Sequence, residues 1–160
     1  MEKVFAIGDI HGCYPKLLKL MDRLIVDHEK DLLIFMGDYI DRGDHSREVV
    51  DYLIDLGKEM KRVVFLLGNH ERMLLDYLEG GNIQPFLVNG GKKTLDSYYG
   101  HSRQVSEEDP RLVFPQAHVD FFKSLIPYYP YGEYLFVHAG LREGIPLEEQ
   151  NPFDLLWIRE

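Results

Sequence analysis

The sequence predicts a layered α/β fold, and three observations predict it. Short apolar runs alternate with segments of helical periodicity, the first three runs each break at a glycine, and a polar cassette follows each break. The runs are Val4 to Ile7, Leu32 to Met36 and Val63 to Leu67. The cassettes are Gly8-Asp9-Ile10-His11-Gly12, Gly37-Asp38-Tyr39-Ile40-Asp41-Arg42-Gly43 and Gly68-Asn69-His70-Glu71. A continuous apolar run bounded in this way reads as a parallel strand buried on both faces. Strand, loop and helix in repetition give βαβ units, and in open α/β sheets ligands collect at the carboxyl ends of the strands. The cassettes therefore fall on the edge where a site is expected.

The elements follow in order. After the first cassette, Tyr14-Pro15 opens a helix in which Leu17, Leu18, Met21, Leu24 and Ile25 share a face. After the second, Ser46 is the expected N-cap of a helix carrying Val49, Val50, Leu53, Ile54 and Leu56, with Gly57 as its stop. A third helix is expected over Glu71 to Leu78, ending at Gly80-Gly81. Between Gly80 and Pro115 the periodicity weakens, which predicts a helical insertion with loops, including a polar stretch from Gly100 to Asp109. Val119 to Ile126 reads as helix. Tyr128 to Tyr131 and Tyr134 to Val137, flanking Gly132-Glu133, read as a hairpin that delivers His138-Ala139-Gly140 at a strand end. No internal repeat or domain linker is visible, so one domain over residues 1–160 is expected.

Composition narrows the function classes. With 160 residues, 45% of them hydrophobic, the chain can bury one ordinary core. A net charge of −9 argues against nucleic acid or an anionic membrane as partner. The single cysteine, Cys13, leaves no intrachain disulfide, and neither a signal peptide nor a spanning segment is visible, so a cytoplasmic protein is expected.

The cassettes carry the chemistry. Asp9 and His11 lie two apart on chain leaving a strand, so both side chains can grip one cation; taken alone, the pair also fits a buried Asp-His hydrogen bond. Asp38, at the neighbouring strand end, can bridge two cations, and Asn69 offers an amide oxygen to the second. His70 should then point elsewhere, because adjacent extended residues diverge, and so be free as a general acid, with Asp41 holding its protonated form. Alone, Asp41 would read as a turn or cap carboxylate. Arg42 supplies a planar fork for two phosphate oxygens; on its own it would read as a surface salt bridge. Glu71 is read as structural, an acid opening a helix. The mixed oxygen and nitrogen donors suit manganese, iron or zinc over magnesium or calcium alone; manganese is the ion expected, with iron, zinc or nickel as alternatives. His28, His45, His101 and His118 lack matching spacing and are expected to be solvated, and Cys13 is expected to pack as a small side chain.

With these residues in place, the chain resembles the phosphoprotein phosphatase branch of the calcineurin-like metallophosphoesterases, and within it the compact bacterial and phage-type serine/threonine phosphatases. The likeness extends to Asn89-Gly90-Gly91, His138-Ala139-Gly140 and the closing Trp157-Ile158-Arg159-Glu160. It implies a β-sandwich flanked by helices and two divalent metal ions. Asp9, His11 and Asp38 would hold the first ion, and Asp38, Asn69 and His138 the second. It also implies His70 as acid, Asp41 as its orienting partner, and substrate contacts from Arg42, Arg159 and Asn69. The implied reaction is direct in-line hydrolysis, with a metal-bridging hydroxide as nucleophile, of a phosphorylated protein or small phosphoester.

Members of this family continue past the tryptophan-arginine segment through further strands, where a Gly-His-Thr motif supplies the second metal's last histidine. This sequence stops at Glu160, and Gly100-His101-Ser102 matches the motif in letters only, since it precedes His138. The expectation is a domain incomplete at its C-terminus, short of one metal ligand and with inner strands open to association. Two other readings share the cassettes: a symmetrical dinucleoside tetraphosphate hydrolase, and a noncatalytic metal-binding remnant. Asp41-Arg42-Gly43 and Glu71 favour the phosphatase over the first, and intact Asp41, His70 and Arg42 favour it over the second.

Overall fold

The computed structural model describes residues 2–100 and 110–159. Three parallel strands, β1 (Val4–Ile7), β2 (Leu32–Phe35) and β3 (Val63–Phe65), form one sheet in the order β1-β2-β3. Val4 pairs with Leu32, and Leu33 with Val63. The antiparallel hairpin β4 (Tyr128–Tyr131) and β5 (Tyr134–Val137) pairs Tyr128 with Val137 and Tyr131 with Tyr134. The helices are α1 (Tyr14–Met21), α2 (Ser46–Glu59), α3 (Asn69–Leu78), the single turn α4 (Gln84–Phe86), α5 (Lys92–Tyr99), α6 (Gln116–Ser124) and α7 (Pro152–Trp157). A π-turn over Leu87–Gly91 joins α4 to α5. Among the described residues no helix is long and apolar enough to cross a membrane.

The central strand divides the core. Leu33 and Phe35 face the helices, in one cluster with Leu17 of α1, Val49, Val50 and Leu53 of α2, and Phe121 and Phe122 of α6. Leu32 and Ile34 face the other way, with Leu66 against Tyr129, Tyr131 and Phe136 of the hairpin. Side chains alternate across a strand, so the run Leu32 to Phe35 serves two layers at once. All four of these residues are buried. Burial on both faces holds for β2 only. In β1, an edge strand, Val4 and Ala6 are exposed, and the residues of β3 are half-buried.

Several boundaries differ from expectation. Helix α1 ends at Met21, which leaves Leu24 partly buried and Ile25 84% exposed instead of on the helix face. The N-cap of α2 is His45, and Ser46 is the first helical residue, its hydroxyl accepting from the Asp41 N–H at 3.1 Å. Gly57 does not stop α2, which runs to Glu59; a Cβ there would lie 3.3 Å from the Phe65 ring, so the glycine lets the helix pack close to β3. Helix α3 begins at Asn69, two residues earlier than predicted. Helix α6 stops at Ser124, and Ile126 instead forms a parallel bridge to Leu66 beside β3. The helical insertion is present as α4, the π-turn and α5. The predicted polar loop at 101–109, with His101, lies outside the described residues.

Truncating Leu33, fully buried at the centre of the sheet, removes contacts that no neighbour replaces. Leu33→Ala is expected to cost about 2–5 kcal/mol, measured as a lower urea midpoint with unchanged slope.

Candidate metal centre

The first two cassettes leave their strands on tightly turned chain. His11, Asp38, Asp41 and Arg42 all have positive φ, at 45°, 56°, 71° and 65°. Such geometry costs about 1–3 kcal/mol for a residue with a side chain and persists only where the surroundings impose it. Here they do. The N–H groups of Ile10 and His11 donate to the Asp38 carbonyl at 3.0 and 2.9 Å, and the Gly12 N–H to the Tyr39 carbonyl at 2.8 Å. A Cβ on Gly43 would lie 2.2 Å from the His11 carbonyl oxygen, and one on Gly37 2.6 Å from the Gly68 nitrogen. The cassettes thus interlock backbone to backbone, and only glycine allows it.

Glu71 completes the lock. Fully buried at the start of α3, its carboxylate accepts from the N–H groups of Asp38 (2.9 Å), Tyr39 (2.8 Å), Ile40 (3.3 Å) and Gly68 (3.2 Å). The last bond is half of a capping box. The other three tie the second cassette to the third, a larger task than opening a helix. Burial, and next the Asp38 charge, push the Glu71 carboxyl up, and the backbone N–H donors, which favour its ionised form, oppose them.

Asp38 stands at the centre of the cluster. Among the described residues, Asp9, Asp38 and His138 offer ligand atoms within 4.8 Å of one another, and so do His11, Asp38 and His70. His11 Nε2 lies 3.5 Å from the Asp38 carboxylate and 3.9 Å from that of Asp9; His138 Nε2 lies 3.5 Å from the other Asp38 oxygen. Both imidazoles are aimed by their far side. His11 Nδ1–H donates to the Ile40 carbonyl at 2.9 Å and His138 Nδ1–H to that of Met36 at 2.8 Å. A carbonyl can only accept, so each Nε2 turns a lone pair into the cluster.

The donor set fits a cation pair. Asn69 Oδ1 faces only acceptors, with His138 Nε2 at 3.0 Å, and the contact becomes a hydrogen bond only if the amide turns over to donate to His138 and Asp38. A buried amide oxygen opposed by lone pairs is a position that a cation satisfies. Asp9, His11, Asp38, Asn69 and His138 are therefore brought together, with Asp38 common to both groups.

His70 is completely buried, and its Nδ1 lies 2.6 Å from Asp41 Oδ2. Asn69 and His70 diverge as expected, but as the first residues of α3, not as extended chain. Successive helical positions are rotated by about 100°, which separates the predicted ligand from the predicted acid just as well. Arg42 spans the gap, Nη1 at 3.0 Å from His11 Nε2 and Nη2 at 3.0 Å from His70 Nε2. Behind the pair, the buried Thr94 of α5 donates to Asp41 Oδ1 at 2.6 Å. Burial pushes the Asp41 carboxyl up, and the bonds from His70 and Thr94 pull against it.

Arg159 is not brought in. It is exposed beside Trp157 and Ile158, and among the described residues no hydrogen bond or ion pair joins it to the cluster. His118 is corrected from solvated to buried: its Nδ1 pairs with the Tyr98 hydroxyl at 2.7 Å and its Nε2 with Asp51 at 2.9 Å. His28 and His45 are exposed. Sequence reasoning missed Thr94 and the inward turn of Ser46. The threonine after Gly90-Gly91 gave no sign that it meets residue 41.

Glu71→Gln would set an amide N–H₂ against backbone N–H donors. It is expected to lose about 1–3 kcal/mol, lowering Tm by roughly 2–4 °C per kcal/mol in differential scanning calorimetry.

Proteins of more than one name match this chain. The chain is 33% identical over 151 residues to the asymmetrical bis(5'-nucleosyl)-tetraphosphatase PrpE of Halalkalibacterium halodurans, covering 86% of this chain and 56% of that protein. It is 39% identical over 105 residues to serine/threonine-protein phosphatase 2 of Salmonella typhimurium, covering 66% and 45%. The chain therefore spans about half the length of the curated relatives it matches. A solved Saccharomyces cerevisiae serine/threonine phosphatase with similarity to human phosphatase PP5 shares the fold at a TM-score of 0.65 and 21% identity, covering 98% of this chain and 51% of that one. Residues 2–160 match the family described as Calcineurin-like phosphoesterase, and with the cassettes clustered at one sheet edge, the chain belongs to that family of phosphoester hydrolases.

Proposed function

We propose that the chain cleaves phosphomonoesters of serine or threonine by direct in-line hydrolysis, with His70 as the general acid. One observation carries the reading: the buried 2.6 Å bond between His70 Nδ1 and Asp41, which leaves His70 Nε2 facing Arg42 and Asp38. A departing alkoxide is a strong base and must be protonated as it leaves, and a positioned acid contributes about 10²- to 10⁴-fold to such a step. In a dinucleoside tetraphosphate the leaving group is a phosphate anion, which needs that proton far less.

Asp9, His11, Asp38, Asn69 and His138 would hold two divalent ions, manganese in this reading, which when bound supply a nucleophile near neutral pH and neutralise the ester. Arg42 binds two nonbridging phosphate oxygens with its fork. Turned onto the phosphate, the fork leaves His70 Nε2 free to carry a proton. Asp41 stabilises the imidazolium and fixes its ring plane, and His70 then delivers the proton to the departing serine or threonine oxygen. Arg159, exposed on the chain that follows α7, would have to approach from there to share the phosphate.

The tetraphosphate reading is kept because relatives bear that name, both as the asymmetrical and as the symmetrical enzyme. Chromatography of diadenosine tetraphosphate digests distinguishes the cases: two ADP for symmetrical cleavage, ATP with AMP for asymmetrical, and neither at a competitive rate for a protein phosphatase. His70→Asn is expected to lose about 10²-fold or more in kcat on a phosphoserine peptide and far less on an aryl phosphate. Equal losses on the two substrates would remove His70 from the role. Calorimetric titration with Mn²⁺ is expected to show two sites in the unaltered protein and a large loss of affinity at both in Asp38→Ala; a single tight site without turnover would favour a binding remnant.

A further inference from the structure

The insertion between α3 and α6 does more than border the site. Thr94, on α5, is fully buried, and its single hydroxyl meets Asp41 twice: it donates to Oδ1 at 2.6 Å and accepts from the Asp41 N–H at 2.8 Å. The other carboxylate oxygen, Oδ2, is the one that holds His70. Ser46 Oγ closes the group, 3.0 Å from Thr94 Oγ1 and 3.1 Å from the Asp41 nitrogen. One residue further along, the Arg42 N–H reaches the Gly90 carbonyl at 3.4 Å. A Cβ on Gly90, whose φ is 105°, would lie 3.0 Å from Arg42 Cγ.

These contacts fall on a backbone that cannot hold its shape alone, since Asp41 and Arg42 both have positive φ. A carboxylate bonded through one oxygen can still swing about its χ angles. Bonded through both, to Thr94 on one side and His70 on the other, it has one orientation. The hydroxyl also fixes the Asp41 backbone from which that side chain springs, so rotamer and main chain are set by the same atom.

We propose that Thr94 is a positioning residue for the acid: its hydroxyl holds the Asp41 carboxylate in the orientation that aims His70 at the leaving oxygen. Helix α5 thereby becomes part of the acid's support. The inference rests on the reading of His70 as the acid. Ser46 assists through the same hydroxyl, and Thr94 touches neither substrate nor reacting atoms.

The test compares Thr94→Val, which keeps the shape and loses the hydroxyl, with Thr94→Ser, which keeps the hydroxyl. Thr94→Val is expected to lose about 10-fold or more in kcat on a phosphoserine peptide at little changed KM, to lose much less on an aryl phosphate, and to be rescued by Thr94→Ser. By NMR, the strongly hydrogen-bonded Nδ1 proton of His70 should move upfield or disappear in Thr94→Val and return in Thr94→Ser. Equal losses on the two substrates, or an unmoved His70 proton, would reduce Thr94 to a packing residue. Should Thr94→Val not fold, Thr94→Ala carries the same two readouts. Failure of the acid reading is separable: there His70→Asn shows no leaving-group dependence, whatever Thr94→Val does to the proton signal.

Discussion

The site depends on one buried carboxylate. Glu71 gathers the N–H groups of Asp38, Tyr39, Ile40 and Gly68, and in doing so fixes the turn that presents Asp38 and the start of the helix that presents Asn69 and His70. A carboxylate offers about four lone-pair positions, so Glu71 can satisfy four backbone donors at once, and no neutral side chain of that size can. Without it, those amides would be buried at the tip of a strained loop with nothing to accept from them. Asp38 is thus held in place by a residue outside the predicted ligand set.

Around that lock the fold is arranged so that strain is met by contacts. Four non-glycine residues with positive φ would be unstable on a free loop, yet each lies where two cassettes, or a cassette and the insertion, press together. Tyr39 continues the pattern inward: its hydroxyl donates to the Leu66 carbonyl at 2.7 Å, tying the second cassette to the chain leaving β3. The two-layer core does the rest. With Leu33 and Phe35 toward the helices and Leu32 and Ile34 toward the hairpin, β2 cannot shift register without exposing one set or the other. The loops at its carboxyl end therefore start from a fixed point.

Polar groups in the site are shared between tasks. Arg42 lies between His11 and His70, in hydrogen-bond reach of a predicted ligand and of the predicted acid. His11 and His138 repeat one device, Nδ1 anchored on a carbonyl and Nε2 turned inward, from opposite sides of Asp38. Asp41 repeats the logic of Glu71 on a smaller scale, both oxygens engaged and the side chain unable to turn.

The amino-acid order by itself determined the alternation of strand and helix, because apolar runs that break at glycine leave few other ways to bury their side chains. It also determined the residue types at the sheet edge, since Asp9, His11, Asp38, Asn69 and His70 follow their strands at spacings too short to separate. It could not decide where helices begin and end: α2 opens at Ser46, whose hydroxyl accepts from the Asp41 N–H, and runs on through Gly57 against the Phe65 ring, while α3 opens at Asn69, with the His70 N–H on the Asp38 carboxylate. Nor could it show that Glu71 holds a loop more than thirty residues away, that Thr94 reaches Asp41 from the insertion, that His118 is buried, or that Arg159 lies exposed outside the cluster. The first three are long-range contacts of buried polar groups. Local pattern records which side chains are polar, and only the packed chain decides which of them meet.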